Sequence, residues 1–240
     1  MALARGAVAR AHAGRELVLS ENACGVSESR AIAEESTLDV ETPHGPARAH
    51  LHTVSEPRAV LILGHGAGGG VQAPDLVAVT RSALSDELSV ALVEQPYRVA
   101  GRRSPAPAHQ LDAAWTAVVE RLREGELEGL PLVVGGRSSG ARVACRTAEV
   151  VGAAGVLCLA FPLQPPRRGG AAAPSRLAEL ELVRVPTLVV QGERDPFGIP
   201  PAAAQRTVVR VRSDHALKGD LATVAEEVRT WLTGVLDRLQ

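Results

Sequence analysis

Two kinds of hydrophobic pattern alternate along the chain from Thr37 onward. Short continuous apolar runs stand at Ala59 to Leu63 (AVLIL), Ser89 to Val93 (SVALV), Pro131 to Val134 (PLVV), Gly155 to Ala160 (GVLCLA) and Pro186 to Val190 (PTLVV). Runs of that length with no polar interruption are what strands covered on both faces require. Between them, apolar residues return every three or four positions at Leu76 to Leu88, His109 to Leu122, Ala141 to Val150 and Leu221 to Leu239, which predicts covering helices. Thr207 to Val211 (TVVRV) supplies a last strand. Ahead of the first buried run, Thr37 to Thr42 and Ala47 to Thr53 alternate apolar and polar residues around His44, Gly45 and Pro46, predicting an antiparallel pair at a sheet edge. The whole reads as an α/β fold, a mostly parallel sheet with helices on both faces. Phe161 to Ser175 (FPLQPPRRGGAAAPS) is too rich in Pro, Gly and Ala to form a regular element.

Composition narrows the possibilities. With 240 residues, 45% hydrophobic and 22% charged, the chain suits one domain with a full core. The expected division is a poorly ordered extension over residues 1–36 and an α/β domain over residues 37–240. The opening MALARGAVARAHAGRELVLSE mixes Ala with Arg and lacks a continuous apolar stretch, so it makes a poor secretory signal; a bland extension is preferred to a basic amphipathic helix or a transit segment. No apolar run is long enough to span a bilayer. Aromatics make up 2% and the formal net charge is −1, which leaves neither stacking platforms nor a basic field, so no nucleic-acid or membrane partner is expected. Cys24, Cys145 and Cys158 are odd in number and lack C-x-x-C spacing, which predicts no disulfide framework and no zinc site and points to a cytoplasmic location. Cys145 and Cys158 fall in apolar stretches and read as small buried residues, Cys24 as part of a loose segment.

Four motifs carry chemistry. Gly136-Arg137-Ser138-Ser139-Gly140 is a G-x-S-x-G between a buried strand and a helix, the context of a nucleophile elbow that exposes Ser138 above the sheet. Directly after AVLIL stands Gly64-His65-Gly66-Ala67-Gly68-Gly69-Gly70, a glycine turn able to offer backbone N–H groups to a developing oxyanion. Ala67 N–H with Ser139 N–H is the expected pair, and His65 reads as a residue that stabilises the turn. Asp195 lies in a tight turn beyond TLVV, and His215 in the loop after the last strand. The order Ser, Asp, His suits a triad in which His215 takes the Ser138 proton and Asp195 fixes the imidazole. Asp214, although adjacent to His215, is not expected to serve that role. No group of residues has metal-ligand spacing, and no cofactor is predicted. Arg98, Arg102, Arg103, Arg167 and Arg168 either ring the mouth of the site or form a solvated surface.

The same glycine turn supports a rival. Gly64 to Gly69 satisfies G-x-G-x-x-G after a strand, and Glu94 ends the next strand where a ribose-binding acid would sit, as in a dinucleotide-binding enzyme. Pro74 delays the following helix, and that reading leaves Ser138, Asp195 and His215 unexplained.

The motifs GHGAGGG, GGRSSGARVA, VVQGERDPFG and SDHALKGD resemble the α/β-hydrolase superfamily, and within it a dienelactone-hydrolase-like bacterial family that shares its domain with a subunit of the nonspecific lethal histone acetyltransferase complex. The resemblance runs from about Thr37 to the C-terminus. It implies an eight-stranded sheet, with Ser138 as nucleophile, Asp195 as acid and His215 as base. The expectation is a serine hydrolase acting on a small or medium ester without a large cap domain. A triad-bearing interaction module with little turnover is the alternative.

Overall fold

The computed structural model describes residues 34–165 and 174–239. The extension as far as residue 33, Cys24, Arg167 and Arg168 lie outside the described residues.

Two antiparallel strands open the domain, β1 (Glu34–Val40) and β2 (Ala47–Thr53), with Val40 opposite Ala47 and Glu35 opposite His52. β1 starts three residues before the predicted Thr37 and stops at Val40, because Thr42 belongs to the turn. There its hydroxyl donates to the Gly45 carbonyl at 2.6 Å, and Gly45 takes a left-handed φ of 99°. The chain continues as β3 (Ala59–Gly64), α1 (Pro74–Ser85), β4 (Leu88–Glu94), α2 (Pro96–Val99), α3 (Ala108–Arg123), β5 (Leu132–Arg137) and α4 (Ser139–Thr147). It ends with β6 (Gly155–Leu159), α5 (Leu177–Glu181), β7 (Thr187–Gly192), β8 (Arg206–Val211) and α6 (Leu221–Leu236). The eight strands form one sheet in the order β1-β2-β4-β3-β5-β6-β7-β8, antiparallel at β1/β2 and β2/β4 and parallel elsewhere.

Alternate residues of the central strands feed two cores, as the strand period of two demands. Val60 and Ile62 face the side covered by α3 and α4, among Trp115, Val118, Leu122 and Val143. Ala59, Leu61 and Leu63 face the side covered by α1 and α6, among Leu76, Val79, Val224, Val228 and Leu232. A half-buried ionic cluster clamps α4 to its neighbours: Arg142 donates to Glu179 of α5 at 2.6 and 2.8 Å, and Arg146 bridges Glu179 and Asp112 of α3.

Helical spacing from Leu76 to Leu88 overruns the real boundary. α1 stops at Ser85, the Asp86 N–H bonds back to Ala83 at 3.1 Å, and Glu87 turns the chain with φ 62°, so Leu88 already belongs to β4. The connection from β6 to α5 is far too short for a cap domain. Because β3 and β5 to β8 run parallel, the loops that follow them share one edge of the sheet, and Gly66, Ser138, Asp195 and His215 all belong to those loops.

Candidate active site

Ser138 joins β5 to α4 with φ 52° and ψ −105°, a strained conformation for a residue with a side chain. Surrounding structure holds it there. Its N–H donates to the Leu159 carbonyl at 2.9 Å, and the flanking glycines bring three backbones together. A Cβ at either Gly136 or Gly140 would run into the backbone of Gly64, so the end of β3 lies directly against the elbow. This close approach is what the small residues of the motif permit.

His215 accepts the serine. Its Nε2 lies 3.0 Å from Ser138 Oγ, and its Nδ1 lies 2.8 Å from Asp195 Oδ2. With Nδ1 donating to the carboxylate, the Nε2 lone pair faces the hydroxyl. The Asp195 side chain is fully buried and that of His215 is 20% exposed. The Phe197 ring meets the imidazole edge-on, with centroids 4.5 Å apart. Asp195 is itself fixed by donors, the Phe197 N–H on Oδ1 at 2.9 Å and the Gln191 amide on Oδ2 at 2.7 Å. Gln191, wholly buried, also donates to the Phe161 and Gly198 carbonyls. Sequence reasoning missed it; its signal is one amide in the otherwise apolar run TLVVQG. Asp214 is exposed, and its carboxylate accepts the Ala216 N–H at 2.9 Å instead of approaching the imidazole.

The glycine turn passes beside the serine: a Cβ at Gly66 would come within 3.7 Å of the Ser138 Cβ. Ala67 follows Gly66 in that turn, and Ser139 opens α4 directly after the serine. His65 is buried inside the turn, where Nδ1 donates to the Gly66 carbonyl at 2.8 Å and Nε2 accepts the Gln95 N–H at 3.1 Å. Burial holds its pKa below the usual imidazole value, so the ring stays neutral, in keeping with a turn-stabilising residue. The Tyr97 hydroxyl donates to the Ala67 carbonyl at 2.9 Å. No helix begins in the turn; α1 starts only at Pro74, and Gly64 and Gly66 lie against the elbow at Gly140, Arg137 and Ser138.

Two further charged residues stand at the site, and neither was singled out from sequence. Arg137 Nε lies 3.0 Å from Asp75 Oδ2, an ion-pair contact short of hydrogen-bond alignment, and Arg137 Nη2 donates to the His215 carbonyl at 2.9 Å. Asp75 has no exposed surface, and burial pushes its carboxyl up from the usual carboxylate value, with the charge of Arg137 working against that rise. Of the arginines proposed for the mouth, Arg98 is half-buried and donates to the Arg102 carbonyl at 3.4 Å, while Arg102 and Arg103 are exposed. Among the described residues, no three His, Cys, Asp or Glu side chains gather where they would hold a metal, and no helix is long and apolar enough to cross a membrane.

A strained serine between strand and helix, a histidine on its hydroxyl and a buried carboxylate behind the histidine, all on one edge of an uncapped, mostly parallel sheet, define the α/β-hydrolase class. The chain belongs to the α/β-hydrolase domain family, whose model matches residues 57–229. Similar solved structures include a lidless α/β serine hydrolase from Xanthomonas campestris, 17% identical with a TM-score of 0.66 over 84% of this chain and 94% of that one. A dienelactone hydrolase from Anabaena variabilis is 16% identical with a TM-score of 0.66 over 85% and 98%. The esterase domain of a Rhodothermus marinus protein is 16% identical with a TM-score of 0.60 over 82% and 97%. None of the functionally curated proteins matches the chain in sequence.

Proposed function

We propose that this protein is a serine hydrolase that cleaves a small or medium ester through an acyl-serine intermediate. The observation that carries the reading is the single imidazole bridging Ser138 Oγ at 3.0 Å and a buried carboxylate at 2.8 Å. Ser138 Oγ attacks the carbonyl carbon as its proton passes to His215 Nε2, and Asp195 stabilises the imidazolium. The oxyanion of the tetrahedral intermediate is met by the N–H groups of Ala67 and Ser139. Collapse breaks the ester bond, and the leaving alkoxide takes the proton from His215. Water then attacks the acyl-serine with its proton going to His215, and the second collapse releases the acid and returns the proton to Ser138. The sequence of steps calls on no cofactor.

Ester leads over amide because similar structures include an esterase domain and a dienelactone hydrolase. Size is supported by the missing cap and by a cavity of about 220 Å³ lined by Gln95, Pro96, Tyr97 and Leu111. Tyr97, one of the residues that line this cavity, donates its hydroxyl to the Ala67 carbonyl of the glycine turn.

Reaction with a fluorophosphonate followed by peptide mapping tests the reading. The phosphonyl group should be found on Ser138. Ser138→Ala should lose both labelling and ester hydrolysis, and Ser139→Ala should keep most of each because its backbone N–H is retained. Folded wild-type protein that takes up no label would turn the assignment toward an interaction module, and saturable micromolar binding of NAD, NADP or FAD in calorimetry would turn it toward the dinucleotide reading.

A further inference from the structure

We infer that Arg137 is a positioning residue that ties the histidine loop to the nucleophile elbow, with Asp75 as the anchor of its guanidinium. The inference rests on the serine-hydrolase reading above.

Arg137 immediately precedes Ser138, so its backbone is fixed wherever the elbow is fixed. Its side chain reaches three other segments. Nη2 donates to the His215 carbonyl at 2.9 Å, Nε lies 3.0 Å from the Asp75 carboxylate at the start of α1, and Nη1 lies so near Gly66 that a Cβ there would approach it to 2.8 Å. One planar cation therefore touches the elbow, the oxyanion turn, α1 and the histidine loop. The fixed fork of a guanidinium suits such a task, since two of its faces can be satisfied at once without rotation.

The other contacts of the histidine loop explain why the tie matters. Within the loop, the Leu217 N–H bonds to Asp214 at 3.2 Å and the Gly219 N–H to the Ser213 hydroxyl at 3.1 Å. Toward β7, the Arg194 N–H bonds to the Ser213 carbonyl at 3.1 Å, which secures the loop to the segment that carries Asp195. Those bonds fix the base relative to its acid. Arg137 fixes the base relative to the nucleophile, because the guanidinium and Ser138 belong to adjacent residues. Asp75 supplies the compensating charge: an unneutralised cation beside His215 would oppose formation of the imidazolium on which acylation depends. The Asp75 carboxylate, whose Oδ1 accepts the Leu76 N–H at 3.0 Å, thus presents its other oxygen to the guanidinium.

Arg137→Lys is the discriminating variant. A lysine ammonium keeps a cation beside Asp75, so the fold is retained, but it lacks the fork needed to hold the His215 carbonyl as well. The expected result is a melting temperature within about 4 °C of wild type, with the rate of fluorophosphonate labelling at Ser138 and kcat both lowered by roughly a hundredfold, the scale of a 1 Å misplacement of a reacting group. KM for a small ester should change by about threefold or less, since the substrate is not touched. In parallel, the downfield proton resonance of His215 Nδ1–H on Asp195 should broaden or shift as the loop loosens. Asp75→Asn, which leaves the bond to His215 available, should lose about tenfold. If Arg137→Lys fails to fold, the double variant Arg137→Met/Asp75→Leu removes the buried charges together and must still show the slowed labelling. Wild-type labelling rates with an unchanged imidazole resonance in whichever variant folds overturn the inference. Failure of the hydrolase reading looks different: the wild-type protein itself is then not labelled on Ser138.

Discussion

Asp214 adjoins His215 in sequence, yet its carboxylate turns back to the Ala216 N–H at 2.9 Å, and the imidazole is met by Asp195 from another strand end at 2.8 Å. The two carboxylates therefore predict very different variants. Asp195→Asn should lower kcat by roughly a thousand- to ten-thousand-fold through loss of the tautomer-fixing acceptor. Asp214→Asn should cost about tenfold or less, because an amide oxygen can still cap the loop. Steady-state kinetics on folded protein decide between them, and a crippled Asp214→Asn beside a normal Asp195→Asn would reverse the assignment. Ser138, Asp195 and His215 were legible in the sequence because each sits just past a recognisable strand in the expected order. Gln191, Arg137 and Asp75 were not. Gln191 sits inside an apolar run and reads as strand, Asp75 follows Pro74 and reads as an ordinary first-turn acid, and the reach of the Arg137 side chain to α1 and to the histidine loop, 62 and 78 residues away, has no local signature.

Among the elements, α4 shows how tightly the elbow is built. Its second residue, Gly140, presses on the Gly64 backbone, where no flexible side chain is present to yield. Gly140→Ala should destabilise the fold by about 1–3 kcal/mol or more through overpacking, measured as a lowered midpoint in urea, and should slow any labelling of Ser138. The same helix is held from outside by Glu179. Burial alone would raise the pKa of that carboxyl, but the hydrogen bonds and charges of Arg142 and Arg146 outweigh it and hold the group below the ordinary glutamate value. A depressed folded pKa stabilises the protein above the unfolded value, and that stability is lost as the pH falls through the folded pKa. Melting temperature should therefore drop on the acid side of the glutamate range. Glu179→Gln should flatten that drop and cost about 2 kcal/mol at neutral pH, a fall of roughly 4–8 °C; an unaltered acid-side profile would deny the clamp its role. Elements with a long pattern were read well from sequence, β2 to the residue and α3 to within one. α2 and α5 have four and five residues, too few for a helical period to show. The α1–β4 boundary was blurred because Leu84 and Leu88 keep helical spacing across a turn that Glu87 makes with its own backbone.

At the scale of the molecule, β1 enters as an edge strand whose first residues pair fully with β2. A chain beginning at Glu34 should keep its melting temperature and any esterase activity, whereas one beginning at Glu41 lacks β1 and exposes the outer edge of β2. Loss of several degrees in the first of these would mean that the preceding residues pack on the domain. One further property of the whole follows from Cys145 in α4 and Cys158 in β6, whose sulfurs lie 3.5 Å apart, both buried. The contact with Cys145, followed by burial, pushes the Cys158 thiol well above its usual value, and burial keeps both sulfurs away from solvent in the native state. Alkylation of this pair is then gated by opening of the sheet beneath the elbow. Followed peptide by peptide, the uptake of iodoacetamide at residues 145 and 158 becomes a clock for the rarest excursions of the domain, running at the pace of its deepest unfolding and slowing when an inhibitor bound at Ser138 stabilises the native state.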